Sequence, residues 1–278
     1  NERIRASGLT EVRATVSRWW ACAGRLRGRL PHVPFKILVV CTANICRSPA
    51  GEFLLRQRLG GYGITPVGIS VTSAGVHAQP GAPACDLSVA LVNASLATET
   101  APAAPPVVSG TPGASDAHRS RLVTADMLGE ADLILTADRG HRADLAKLAP
   151  SSRNKTFTMR QAARLATWIT GPGGVLRVAC DKTAGAATPL PPGDPLESVP
   201  ALPTQPVPRL QWFVAELDAA RGMAPAGIES PPGWDPDDVA DPHSVGYQLH
   251  PLAIGEVVTA ANAFADAVAL VIRAPVPG

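Results

Sequence analysis

The sequence predicts an α/β fold built on parallel strands, and three stretches carry that prediction. Phe35 to Val40 (FKILVV) is a continuous apolar run, which suits a parallel strand covered on both faces. It feeds a short loop, Cys41 to Ser48, and then a helix that opens with Pro49 and closes at Gly60 and Gly61. In VGISVTSAG, Val67, Ile69 and Val71 alternate as a second strand that ends at Ser73, Ala74 and Gly75. Near the C-terminus, Ile254, Val257, Val258, Ala261, Phe264, Ala265, Val268 and Ile272 keep helical spacing, so a last helix lays one face on the sheet.

A strand feeding a loop feeding a helix builds an anion site. Loop amides, the unpaired first amides of the helix and the helix dipole converge on one point and favour negative charge there. Cys41 begins this loop and Arg47 ends it. A thiol held in such a field loses its proton readily, and the thiolate is the nucleophilic form. Arg47 adds a planar fork of donors matching two phosphate oxygens, a fit that lysine does not offer. Ser48, where the helix starts, is placed to hydrogen-bond the sulfur and help it leave.

The string VCTANICRSP is more specific than the Cys-x5-Arg pattern inside it. It resembles the signature of the low-molecular-weight protein tyrosine phosphatases, roughly V-C-x-G-N-x-C-R-S-P near the start of the domain. That resemblance implies a four-stranded parallel sheet with helices on both faces, the Rossmann-like three-layer phosphatase I arrangement. It also implies that Cys41 is the nucleophile, that Asn44 orders the loop, that Arg47 grips the phosphoryl group and that Ser48 assists the thiolate. Thr42, Ala43, Asn44, Ile45, Cys46 and Ser48 are then the phosphate-binding loop. Cys46 matches the family's neighbouring cysteine, a redox partner for an oxidised Cys41. Ala43 stands where the family has glycine, so a positive φ there would be strained.

The family's domain needs only about 150 residues, and this chain has 278. Residues 1–33 read as a basic N-terminal extension, with the phosphatase domain at 34–278 interrupted by Pro/Ala/Gly-rich insertions at about 98–116 and 170–232. Residues 1–30 carry a net charge of +5 and the remainder −3. Within that, residues 171–240 sum to −5, enough to attract the basic arm. Five cysteines, an odd number at irregular spacing, exclude a disulfide framework and fit a reducing cytoplasm. No apolar run approaches the roughly 20 residues needed to cross a bilayer. No metal-ligand cluster has convincing spacing, and the expected chemistry requires no cofactor.

Between these landmarks, residues 84–97 read as a helix. Asp132 to Thr136 looks like the family's third strand with helices on either side, and TFTMRQAARLATWI like its short fourth strand and helix. His118 and Arg119 align with a family His-Arg pair and suit loop packing. Asp138 and His141 lie just past the third strand, where α/β sheets hold ligands, although helix capping accounts for them equally well. The stretch 170–232 has the composition of a partly disordered insertion, with one helix-like patch around Gln211 to Arg221. The loop VHAQPGAPACD follows the second strand, and His77 occupies the position where the family carries an aromatic wall.

The family's general acid stands in an Asp-Pro loop before the last helix, and Asp241-Pro242 matches. Asp194-Pro195 and Asp235-Pro236 repeat the dipeptide but lie farther from that helix. His243 and Ser244 follow Asp241 where the family places aromatics, so His243 is a candidate substrate contact. The implied activity is phosphomonoester hydrolysis through a phosphocysteine. The implied partner is a phosphotyrosine protein, a bacterial tyrosine kinase being one candidate, with no nucleic acid and no stable membrane insertion. Three alternatives stay open: a thiol-coupled arsenate reductase of the same fold, a phosphoarginine phosphatase, and a catalytically weak phosphate-binding or interaction protein. Phosphoarginine phosphatases tend to carry threonine at the position of Ile45, so Ile45 favours an aryl ester.

Overall fold

The computed structural model describes residues 34–65, 68–98, 118–185, 194–227 and 234–275. The N-terminal extension, Val67 and the segment 99–117 fall outside the described residues, and with them the readings made for those stretches. Four strands form one parallel sheet: β1 (Phe35–Cys41), β2 (Ile69–Gly75), β3 (Leu133–Thr136) and β4 (Thr156–Thr158), in the order β2-β1-β3-β4. From β1 the chain crosses to one neighbour, β2, and then returns to the other side for β3. That reversal opens a crevice at the carboxyl ends of β1 and β3, the place where such sheets bind ligands.

Successive side chains of β1 point to opposite faces. Ile37 and Val39 join a core with Leu133, Leu135 and Phe157, covered by α1 (Arg47–Gly61), α5 (Met159–Thr170) and α9 (His250–Arg273). Leu38 and Val40 join Ile134 on the other face, packed by Leu128 of α3 (Ala125–Glu130) and Leu145 of α4 (Arg139–Leu148). Helices thus lie on both faces, as expected. Their starts are fixed by side chains that accept backbone N–H groups: Thr124 for α3, Asp138 for α4 and Thr158 for α5. The helix expected over 84–97 is α2 (Asp86–Thr98).

Two expectations are corrected. The helix-like patch around Gln211 to Arg221 falls on α7 (Pro206–Ala219), but the stretch 170–232 also holds a helix that was not expected, α6 (Val175–Thr183), and Ala179, Leu202, Leu210, Phe213 and Leu217 are buried in the main core. Phe213 meets Phe264 of α9 with ring centroids 5.9 Å apart. Buried Arg209 donates to the carbonyls of Pro203 (2.7 Å), Ile272 (2.8 Å) and Ala274 (2.8 Å), tying α7 to the end of α9. Prolines at 206 and 208 misled the composition argument, because the first turn of a helix leaves its amides unpaired and tolerates them. Tyr247–Arg273 is long and apolar enough to span a bilayer by length and composition, but much of its apolar surface is buried in the domain, because this helix packs against α1 and α5.

Several acids of the −5 segment are paired within the described domain, two with arginines three or four residues away and three with arginines elsewhere in the fold. Asp181 meets Arg177, Asp218 meets Arg221, Asp237 meets Arg164, and Asp235 and Asp238 meet Arg139.

Candidate active site

β1 delivers Cys41 to the crevice, and α1 begins only six residues later at Arg47. The loop between them is held by Asn44, fully buried and carrying a positive φ of 54°. Its side-chain amide donates to Ser48 Oγ (3.0 Å) and Ser73 Oγ (2.8 Å), and its Oδ1 accepts the Arg121 backbone N–H (3.0 Å). His118 Nε2 donates to the Asn44 carbonyl at 2.7 Å, which is the loop packing expected of it. The left-handed residue is therefore Asn44 rather than Ala43. Asparagine tolerates that conformation better than most residues, so the alanine brings no positive-φ strain.

Ser48 Oγ lies 3.0 Å from Cys41 Sγ. That hydroxyl accepts from Asn44 and has two places for its own hydrogen, the sulfur at 3.0 Å and the Ala74 carbonyl at 3.3 Å. Ser73 Oγ in turn donates to Glu52 at 2.5 Å, completing a polar chain beneath the loop. Gly75, at the end of β2, comes close to the loop from the other side: a Cβ there would stand 2.6 Å from the Thr42 carbonyl oxygen and 2.8 Å from the Asn44 nitrogen. The β2 chain continues alongside, with the Val76 and His77 amides donating to the carbonyls of Cys41 (2.9 Å) and Thr42 (2.8 Å). His77 is exposed at the loop's rim.

Arg47 is buried, and its guanidinium is surrounded by acceptors. Nη1 donates to the Val239 carbonyl (2.9 Å) and Asp138 Oδ2 (3.2 Å), while Nη2 donates to Thr42 Oγ1 (2.9 Å) and lies 2.7 Å from Asp241 Oδ2. Thr42 Oγ1 also donates to Asp241 Oδ2 at 3.1 Å. The acid-bearing segment is brought here by backbone pairing, since Val239 donates its N–H to the Ala137 carbonyl just past β3 (2.9 Å). Asp241 Oδ1 accepts the His243 N–H (3.1 Å) and caps the short helix α8 (Pro242–Val245). Asp235 instead pairs with Arg139 at 2.6 Å, and Asp194 caps a turn at Pro195–Ser198. Of the three Asp-Pro dipeptides, the one at 241 is joined to Arg47.

Asp138 does two things. It caps α4 by accepting the His141 N–H (2.9 Å), and it pairs with Arg47. Burial would push its carboxyl up, but the hydrogen bonds and charge of His141 and the Arg47 guanidinium outweigh that and hold it at about 2. His141 places Nδ1 2.9 Å from Asp138 Oδ2 and Nε2 3.0 Å from Thr42 Oγ1. Position alone marked Asp138 and His141 in the sequence; their link to Arg47 and Thr42 did not show there. Cys46, which precedes Arg47, is buried, and burial pushes its thiol up to about 12. Ile45 packs at the edge of the main core.

A parallel α/β sheet with a cysteine and an arginine closing one loop fits the class of cysteine-based phosphatases. A family model for low molecular weight phosphotyrosine protein phosphatase matches residues 36–105. The chain is 39% identical over 126 residues to the low molecular weight protein-tyrosine-phosphatase Etp of Escherichia coli (strain K12), covering 45% of this chain and 69% of that protein. It is 32% identical over 129 residues to a protein-arginine-phosphatase of Geobacillus stearothermophilus, covering 46% and 72%. The solved structure of the Erwinia amylovora tyrosine phosphatase AmsI aligns with a TM-score of 0.45 and 20% identity, over 86% of this chain and 95% of that one. The chain belongs to the low molecular weight protein-tyrosine-phosphatase family.

Proposed function

We propose that this protein hydrolyses phosphomonoesters, with phosphotyrosine in proteins as its substrate, through a phosphocysteine at Cys41. The observation that carries the reading is the meeting of Arg47, Thr42 and Asp241 at the mouth of the loop that Cys41 begins. In the first step the Cys41 thiolate attacks phosphorus and the bond to the leaving oxygen breaks. Loop amides and Arg47 hold the three equatorial oxygens, most tightly in the transition state. Asp241, beside the guanidinium, is placed to give a proton to the leaving oxygen. In the second step the same carboxylate takes a proton from water, which attacks phosphorus and frees Cys41. Ser48, at 3.0 Å, stabilises the departing thiolate.

His77 and His243 are proposed as contacts to the substrate's ring or its flanking peptide, and Cys46 as the thiol that captures an oxidised Cys41. A bacterial tyrosine kinase as partner and a cytoplasmic setting belong to the same reading. A phosphoarginine substrate is the second reading, favoured by the Geobacillus stearothermophilus relative; Ile45 weighs against it. The deciding experiment assays p-nitrophenyl phosphate, a phosphotyrosine peptide and a phosphoarginine peptide in parallel, with arsenate reduction as a fourth arm. Fast turnover of the phosphotyrosine peptide is expected. Turnover confined to phosphoarginine would move the substrate, and no turnover of any ester would overturn the enzymatic reading.

A further inference from the structure

Beside the loop, four side chains from three separate stretches of chain turn their donor atoms toward one point. They are Cys46 at the start of α1, Cys85 just before α2, His243 in α8 and His250 at the start of α9, and their ligand atoms all lie within 4.8 Å of one another. His250 is fully buried, and Nδ1 lies 2.7 Å from the Tyr247 carbonyl, to which it donates. That bond fixes the tautomer and leaves the Nε2 lone pair free. A histidine whose second nitrogen donates to a backbone carbonyl is the usual outer support of a metal ligand.

The two separations from His250 match those of a tetrahedral ion. Bonds of about 2.0–2.1 Å to nitrogen and about 2.3 Å to sulfur, set at the tetrahedral angle, place two nitrogens about 3.3–3.4 Å apart and a nitrogen and a sulfur about 3.5–3.6 Å apart. His250 Nε2 lies 3.4 Å from His243 Nε2 and 3.5 Å from Cys85 Sγ. A separation of 3.4 Å between two imidazole nitrogens is long for a hydrogen bond, and suited to two ligands sharing one cation.

We infer that Cys46, Cys85, His243 and His250 form a Zn2+ site that clamps the phosphate-binding loop to the segment carrying Asp241; with Zn2+ bound, Cys46 and His243 are ligands, and the redox and substrate-contact roles proposed above belong to the metal-free chain. Two thiols, two imidazoles and no carboxylate select a borderline, tetrahedral cation and disfavour Mg2+ and Ca2+. On binding, each thiol releases its proton to solvent, each imidazole donates its Nε2 lone pair, and the ion keeps its charge, which the two thiolates neutralise. Cys46 immediately precedes Arg47, and His243 follows Asp241 by two residues, so the clamp holds the acid segment against the loop. Entry is from the side of His243, the exposed member of the set.

The test uses the full chain, stripped with a chelator under reducing conditions. It is titrated with Zn2+ against a competing chromophoric chelator and separately with Co2+ followed by absorption. One Zn2+ per chain is expected, together with the intense visible bands and thiolate charge-transfer absorption of tetrahedral Co2+. His243→Ala, a change at an exposed position, and Cys85→Ser should each weaken Zn2+ binding by at least about tenfold and remove its thermal stabilisation, while Cys41→Ser keeps full binding. Failure to bind Zn2+, binding unchanged in both ligand variants, or binding lost in Cys41→Ser would each overturn the assignment. These readouts involve no turnover, so they stand apart from the outcome of the phosphatase assays.

Discussion

The Arg47 guanidinium lies 2.7 Å from the Asp241 carboxylate, joining the start of the first helix to a segment near the end of the chain. The pair is mostly sheltered, with 2% of the arginine and 20% of the aspartate side chain exposed, and Thr42 donates to the same carboxylate oxygen. The group that would hold a phosphoryl oxygen and the group that would protonate its leaving oxygen are thereby set side by side.

Replacing Asp241 with Asn keeps the cap on α8 and removes the transferable proton. Turnover of phosphotyrosine peptides, whose leaving group is poor, should fall by about 10²–10⁴-fold. p-Nitrophenyl phosphate leaves easily and should lose far less. Steady-state kcat on both substrates makes the comparison, and equal losses on the two would remove Asp241 from the acid role.

Cys41→Ser should lose turnover while still binding phosphate or vanadate, because the loop amides and Arg47 remain in place. Isothermal titration with vanadate beside a p-nitrophenyl phosphate assay reads both quantities. Retained turnover would refute a phosphocysteine.

Gly75→Ala puts a methyl group against main-chain atoms of the loop, at 2.6 Å from the Thr42 oxygen and 2.8 Å from the Asn44 nitrogen. Backbone cannot swing aside as a side-chain tip can, so a cost of about 1–3 kcal/mol and weakened vanadate binding are expected. Gly60→Ala on α1 meets nothing within 4 Å. It should be neutral or stabilising by about 0.5–1 kcal/mol. Denaturant titrations of the two variants give the contrast.

Asp138 supplies a pH signature. Its folded-state value of about 2 lies below the ordinary carboxylate range. Its contribution, on the order of 2 kcal/mol, is therefore fully present above about pH 4 and lost as pH falls toward about 2. Asp138→Asn should flatten that part of the stability profile, as measured by denaturant midpoints across the acid range. An unchanged profile would mean that other carboxylates carry the acid sensitivity.

Phe213→Ala tests whether α7 belongs to the core. Phe213 is buried against Phe264, so truncation should cost about 3–5 kcal/mol in a single cooperative transition. A loss below about 1 kcal/mol would return this helix to the status of an appended segment.

How much was legible follows from how local each feature is. β1, the loop and α1 could be read directly because strand, anion site and helix start are made by consecutive residues, and the Asp138 cap likewise involves only its next few neighbours. Asp241 is marked by its resemblance to a known pattern and by its place before the last helix, since the Asp-Pro dipeptide itself recurs at Asp194 and Asp235. The packing of α6 and α7 was obscured because proline and glycine dominate their surroundings, while burial depends on which surface a helix meets.

By itself the sequence determined the chemistry available: a thiol and a guanidinium at the two ends of one anion-binding loop, on a parallel α/β scaffold. Only the tertiary structure decided which carboxylates face that guanidinium, Asp138 from the end of β3 and Asp241 from beyond α7, and that Cys46, Cys85, His243 and His250 converge. The physical reason is range. Backbone hydrogen bonding and helix polarity act over a few residues and can be read along the chain, whereas ion pairing and ligand convergence act through space, among groups that come together only when the sheet and its helices close over the core.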